Sequence, residues 1–340
     1  MTPEATAPPA TPEPAGLRQL AARKGVFLGT EVTTASVVDY RTKETQKRDF
    51  NLATISSAFW GGKFNGYAEL RPARDRYNFP RIDSAITYAA NNNMSQVVHH
   101  LVWGNRDALP AWLKDGGFKP AELRQIVGEH FRTVCAHVRQ KAGVSADLTW
   151  SVVNEYYGAP GNFWDANLGE DFVDEAFRLA RDADPSARLM LNNAENHVPG
   201  PFADMDIPRV ARLSKENLID VYGMQMHLDA AKPINIDGFK RTVARFQALG
   251  VEVIVSEMDV DTTGVAGSEA AKDVRQAEVY QAYLEAFFAI GGKRVSFFGT
   301  NDSLSWLGTP ARATLYDYIN RPKPAFEAVQ SVVEALPARP

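Results

Sequence analysis

The sequence predicts a single (β/α)8 barrel, and three observations support it. Eight short apolar or β-branched runs recur, at residues 25–30, 52–56, 96–102, 148–153, 188–191, 218–226, 251–255 and 294–298. That is the strand count of one closed barrel. Helical stretches alternate with these runs, and strand, helix, strand in repetition implies a parallel sheet. Finally, two of the runs lead directly into a glutamate, as Asn154-Glu155 and as Ser256-Glu257. In a parallel barrel the C-terminal strand ends build the active site, which gives such residues a chemical meaning.

Taken in order, residues 1–15 are rich in proline, alanine and threonine and cannot bury enough surface to fold, so they read as a disordered tail. Residues 16–340 read as the barrel, with no linker and no visible internal repeat. After the second run, Ile82, Ala85, Ile86 and Ala89 share one helical face. Leu123, Ile126, Val127, Phe131, Val134 and Val138 share the next, and the spacing places Cys135 inside that helix. Phe172, Ala176, Leu179 and Ala180 form a third stripe. Phe239, Val243 and Phe246 form a fourth, with Asp237 as the expected N-cap and Gly250 as its end. Val274, Ala277, Leu284, Phe287 and Phe288 lie on a last long helix, terminated by Gly291-Gly292.

A chain of 340 residues fits one α/β barrel. Net charge is −4 and no lysine or arginine cluster occurs, which argues against nucleic acid and anionic membranes as partners. A neutral polymer or small molecule fits better, bound by a monomer. The lone Cys135 has no internal disulfide partner and reads as a core residue. No apolar run approaches the length of a membrane span. The N-terminus lacks the basic start and apolar centre of a signal peptide. The expectation is a cytoplasmic protein if the chain is complete, and an exported one if a leader has been trimmed.

The strand-end residues suggest a reaction. The fourth run delivers Asn154 and Glu155, the sixth Gln225 and His227, and the seventh Glu257 and Asp259, all onto one rim. Cleaving an acetal needs a proton for the leaving oxygen and a negative group for the oxocarbenium-like centre, which two carboxyls of unequal pKa supply. Glu155 and Glu257 are the expected pair. Adjacent His99 and His100 should point to opposite faces of a strand, and no histidine pair has ligand spacing, so neither a metal nor a cofactor is expected.

These residues carry a resemblance to glycoside hydrolase family 10, the endo-β-1,4-xylanases. Trp150 to Glu155 resembles the family's acid/base strand, and Val251 to Asp259 its nucleophile strand. The likeness extends from Leu17-Arg18-Gln19-Leu20 and Leu28-Gly29-Thr30 to Arg321-Pro322-Lys323-Pro324-Ala325-Phe326. His99-His100-Leu101-Val102-Trp103 with Leu109-Pro110-Ala111-Trp112, Tyr222 to His227, and Phe298 to Leu307 resemble the third, sixth and eighth strand segments. The resemblance implies a retaining hydrolase of a β-linked polysaccharide or oligosaccharide, most simply xylan, with Glu155 as general acid/base and Glu257 as nucleophile. It further implies that Asn154 holds the sugar 2-hydroxyl, that His227 orients Glu257 with Gln225 nearby and Asp259 behind it, that His99 and Trp103 line the sugar site, and that Trp306 forms an aromatic wall. Trp112 and Trp150 are assigned to packing.

Departures from the family pattern cluster on the glycone side. Gly104 stands where a second histidine follows the third-strand tryptophan, and Asn105-Arg106-Asp107-Ala108 comes next. Residues 58–66 replace the family's Glu-Asn and Met-Lys-Trp segment, Ala194 stands for a tyrosine, and Phe298 for the eighth-strand tryptophan. Catalysis is expected to be intact and glycone recognition rebuilt, with Trp60, Phe64 and Arg106 as a new substrate wall unless the first two merely pack their loop. The alternatives are a same-fold hydrolase of another β-glycoside or decorated oligosaccharide, and a non-catalytic carbohydrate-binding barrel.

Overall fold

The computed structural model describes residues 16–56, 60–61, 70–156 and 162–338. Its strands are β1 (Phe27–Val32), β2 (Leu52–Ser56), β3 (Ser95–Trp103), β4 (Leu148–Asn154), β5 (Arg188–Asn193), β6 (Val221–Met224), β7 (His227–Asp229), β8 (Glu252–Asp261) and β9 (Arg294–Phe297). All strand pairings are parallel, and the order β6-β5-β4-β3-β2-β1-β9-β8 closes through hydrogen bonds between β6 and β8. This is the expected eight-stranded barrel. The expected tail, residues 1–15, lies outside the described residues, as do Phe59 and Phe64.

Three strand boundaries differ from expectation for local reasons. The first run starts later because Gly25, at φ 66°, ends the helix Leu17–Lys24 in a left-handed turn. The sixth run breaks in two because Met226 is left-handed at φ 60°, and β7 resumes on the rim paired to β8. The seventh run continues through Glu257 to Asp261, because β7 gives that extension a hydrogen-bonding neighbour. The helix after β7 is Ile236–Gln247, capped by Asn235, whose Oδ1 accepts from the Gly238 amide at 2.9 Å. Asp237, the expected cap, lies in its first turn. Cys135 is buried within Pro120–Ala142, where burial pushes its thiol well above the usual range. Among the described residues no helix is long and apolar enough to cross a membrane.

The barrel interior changes character along its axis. Near the N-terminal end Phe27, Leu52, Val97, Met190, Val221 and Ile254 form an apolar layer. Residues two positions further along a strand face the same way. There the layer becomes Thr54, His99, Asn192 and Ser256, with Ser296 from β9 within 2.7 Å of Thr54. A second, larger apolar cluster fills the space between the outer barrel face and the helices. Apolar packing below thus supports a polar floor at the C-terminal end.

Candidate active site

β4 ends at Asn154, and Glu155 follows in a left-handed conformation with φ 48°. Two backbone bonds pin this turn, from Glu155 N to the Asn192 carbonyl and from Gly104 N to the Asn154 carbonyl, each 3.0 Å. A Cβ at position 104 would come within 2.2 Å of the Glu155 carbonyl oxygen. The glycine is therefore matched to the backbone that presents the glutamate. Gly104→Ala is expected to displace that turn and lower kcat by about 100-fold, since a shift near 1 Å at a reacting group has that effect. Steady-state kinetics beside a thermal melt would test this, and an unchanged kcat would show that the turn yields without moving the carboxyl.

Around this turn a chain of amides joins the two glutamates. Gln225 Nε2 donates to Glu155 Oε1 at 2.9 Å and to Asn154 Oδ1 at 3.2 Å. Asn192 Nδ2 donates to Asn154 Oδ1 at 2.8 Å and to Glu257 Oε1 at 2.6 Å. Ser256 Oγ in turn donates to Asn192 Oδ1 at 2.6 Å, fixing which way that amide faces. Trp103 Nε1 donates to Glu155 Oε2 at 2.8 Å. The partners come from β3, β4, β5, β8 and the turn after β6, so closure of the barrel sets the spacing of the two carboxyls.

Imidazoles set the charge at Glu257. His99 Nε2 lies 3.6 Å from Glu257 Oε1, and His227 Nε2 lies 3.5 Å from Oε2. The other nitrogen of His227 is 2.9 Å from Asp259 Oδ2, and Trp306 Nε1 donates to that same oxygen at 2.7 Å. Burial alone would discharge His227, but Asp259 and Glu257 outweigh it and push its pKa up to about 10. Burial likewise opposes the charge on Glu257, yet His99, His227 and Asn192 hold its pKa below the ordinary glutamate value. Glu257 is thus an ionised carboxylate in a buried site at neutral pH.

The structure brings together every residue expected at the site: Asn154, Glu155, His99, Trp103, Gln225, His227, Glu257 and Trp306. Trp306 is 53% exposed and its ring stands 5.1 Å from His227, as suits a wall of the cleft. Trp150 and Trp112 are structural, their indoles bonded to Asp184 and to the Arg71 carbonyl. Trp60 takes the packing alternative, and the histidine pair departs from expectation. Trp60 is buried, stacked on His130 at 3.7 Å and bonded to the Leu101 carbonyl, so it packs the loop and forms no substrate wall. Arg106 is exposed and pairs with Asp115. His99 and His100 do not face apart: the β3–β4 register shifts between His99 and Val102, and their rings meet edge-on at 4.6 Å.

Asn192 and Ser256 also belong to the site and were not anticipated. Asn192 ends an apolar run in the same way as Asn154, so the strand-end pattern held the signal. Among the described residues no group of three or more histidine, cysteine, aspartate or glutamate side chains is placed to hold a metal ion.

Comparison with known proteins agrees with this geometry. The family model for glycosyl hydrolase family 10 matches residues 16–332. The chain is 30% identical to endo-1,4-beta-xylanase B of Thermotoga neapolitana over 301 residues, covering 86% of this chain and 83% of the relative. It is 33% identical to endo-1,4-beta-xylanase A of Thermoanaerobacterium saccharolyticum over 284 residues, covering 79% of this chain and 24% of that much longer protein. Among solved structures, xylanase 10B of Thermotoga petrophila in complex with xylobiose superposes with a TM-score of 0.84 at 27% identity, covering 96% of this chain and 99% of that one.

Proposed function

Because the chain belongs to glycosyl hydrolase family 10, we propose that it hydrolyses β-1,4-linked xylan or xylo-oligosaccharides with retention, using Glu257 as nucleophile and Glu155 as acid/base. The supporting observation is the amide network that joins the two glutamates on one rim, with only Glu257 flanked by imidazoles. The similarity to endo-1,4-beta-xylanases supports the substrate class.

In the first step Glu155 gives its proton to the glycosidic oxygen while Glu257 attacks the anomeric carbon; the C–O bond breaks and a glycosyl ester forms. In the second, Glu155 takes a proton from water, whose oxygen attacks the same carbon and releases Glu257. Asn154 contributes through its orientation. Its Oδ1 receives two amide donors, so Nδ2 is the end that can donate to the sugar 2-hydroxyl. The imidazolium of His227 keeps Glu257 charged between turnovers and shares the charge returned to it on deglycosylation. Release of reducing ends from xylan, mixed-linkage glucan and aryl β-glycosides tests the reading, and inertness toward all of them would sink it. A barrel that only bound carbohydrate would have no need of a proton donor and an ionised nucleophile joined by one network.

A second reading, hydrolysis of a different β-glycoside or a decorated oligosaccharide, is favoured by the changes at Gly104, Ala194 and Phe298 and in residues 58–66. Losing polar contacts there removes hydrogen bonds each worth on the order of 1 kcal/mol net. Energy lost remotely lowers turnover as well as affinity, because it helps position the reacting sugar. Weak activity on plain xylan is expected, with kcat/KM nearly flat as xylo-oligosaccharides gain glycone sugars. A steep rise with chain length would show an intact set of distal subsites.

A further inference from the structure

β1 carries a third carboxyl into the cleft. Thr30 faces outward, its Oγ1 3.2 Å from Thr300 Oγ1, which accepts at 2.8 Å from Gln46 on the surrounding helix Tyr40–Asp49. Alternation then turns Phe27 and Glu31 inward. Phe27 accordingly packs on the apolar layer of the barrel. Glu31 lies two turns of the pleat above it at the catalytic end, partly exposed, with its backbone carbonyl held by Gln46 Nε2 at 3.1 Å. β1 pairs with β2 in the register Glu31–Thr54, so the Glu31 carboxyl shares the C-terminal rim with Ser56 at the end of β2, and Ser56, Glu257 and Asp259 all act on its charge.

The surroundings of Glu31 differ from those of its two acidic neighbours. Glu257 and Asp259 have imidazoles beside them. Glu31 has no ion pair among the described residues. Gln46 holds its backbone carbonyl, and its two carboxyl oxygens offer several acceptor positions. Such a group, on a rigid strand at the catalytic end of the barrel, suits the hydroxyls of a sugar.

We propose that Glu31 is a specificity-determining residue that hydrogen-bonds hydroxyls of the glycone sugar held against Glu257. This rests on the hydrolase reading above and deepens it. β1 stands two strands from β8, which presents Glu257 to the anomeric carbon, and three from β4, which presents Glu155 to the leaving group, so the contact is to the glycone. Burial first, with Glu257 and Asp259 adding to it, raises the Glu31 carboxyl to about 7. It therefore changes charge in the working range, while His99 and His227 are engaged by the other two carboxylates.

The test compares wild type with Glu31→Gln and Glu31→Ala on aryl β-glycosides of one leaving group, with xylosyl, xylobiosyl and glucosyl glycones and their monodeoxy analogues. Glu31→Ala is expected to lower kcat/KM on the preferred glycone by about 10- to 100-fold, as for loss of a hydrogen bond to a charged group. The loss should vanish on the analogue lacking the contacted hydroxyl. Wild-type kcat/KM should rise through about pH 7 as the carboxylate forms, and Glu31→Gln, which keeps the shape, should lack that limb. If both variants keep the wild-type order of glycones and its pH profile, the proposal is overturned while the hydrolase reading stands. Inertness of the wild type toward the whole panel would overturn both.

Discussion

Glu257→Gln should reduce turnover by about 1,000-fold or more while leaving the fold and substrate affinity largely intact, because the amide keeps the shape of the nucleophile and loses its charge. Removal of the charge should also register next door. His227 stands at about 10 because Asp259 and Glu257 together outweigh its burial, so losing one of them must bring it down. The sign follows from linkage: a raised imidazole stabilises the fold fully below its unfolded pKa and loses that contribution as pH rises through its folded value. In the variant this contribution should be smaller and should be exhausted at lower pH, which an NMR titration of the His227 ring and melts across alkaline pH would detect. The product released by wild type should be the β-anomer first, since two displacements restore configuration and carboxyls about 5 to 5.5 Å apart leave no room for an intervening water. Near-normal activity of the variant, or the α-anomer first, would remove Glu257 from its role.

Glu155→Ala is expected to separate the two halves of the reaction. Substrates with poor leaving groups need the proton and should lose activity by several orders of magnitude, on the order of 1,000-fold. Aryl glycosides with good leaving groups should still form the glycosyl ester, seen as a burst of phenol, after which turnover stalls for want of a general base. An added small nucleophile such as azide should restart it without needing that base. The truncation also leaves Gln225 Nε2 and Trp103 Nε1 without their carboxylate partner. A stability loss of about 1 kcal/mol is therefore expected alongside, the net worth of a lost hydrogen bond, since Gln225 Nε2 keeps its bond to Asn154 Oδ1. Equal activity loss on both substrate classes, with no burst, would assign Glu155 a structural role.

Much of the site was legible because strand ends announce themselves. An apolar run that stops at Asn-Glu or passes through Ser-Glu-Met-Asp shows where a barrel strand emerges, and the reading of Glu155, Glu257, Asn154, Gln225 and His227 needed little more. Residues inside the elements were harder to read. Glu31 directly follows the run at residues 25–30, but β1 continues to Val32, and nothing in its neighbours' identity tells which face it takes. The helix Tyr40–Asp49 escaped the periodicity argument because its buried face is Thr42, Thr45, Gln46 and Asp49. Of these, Thr42 is hydrogen-bonded with Asn301, Gln46 with Thr300, and Asp49 with Tyr316 and the Leu17 amide. Trp60 stood between two readings, since a large aromatic in a polar loop suits a ligand platform as well as packing, and only the neighbouring Arg71 and His130 decide for packing.

By itself, then, the sequence determined the barrel, its strand count and the two carboxyls, because period, turn chemistry and strand-end residues are local properties that survive without a partner. Tertiary structure alone decided how those carboxyls differ. The imidazoles beside Glu257, the indole and amide on Glu155, the glycine that admits the Glu155 turn and the inward face of Glu31 all come from strands far apart in the chain. Coulomb and desolvation energies depend on distance and burial in three dimensions, so closing the barrel gave two like residues unlike surroundings.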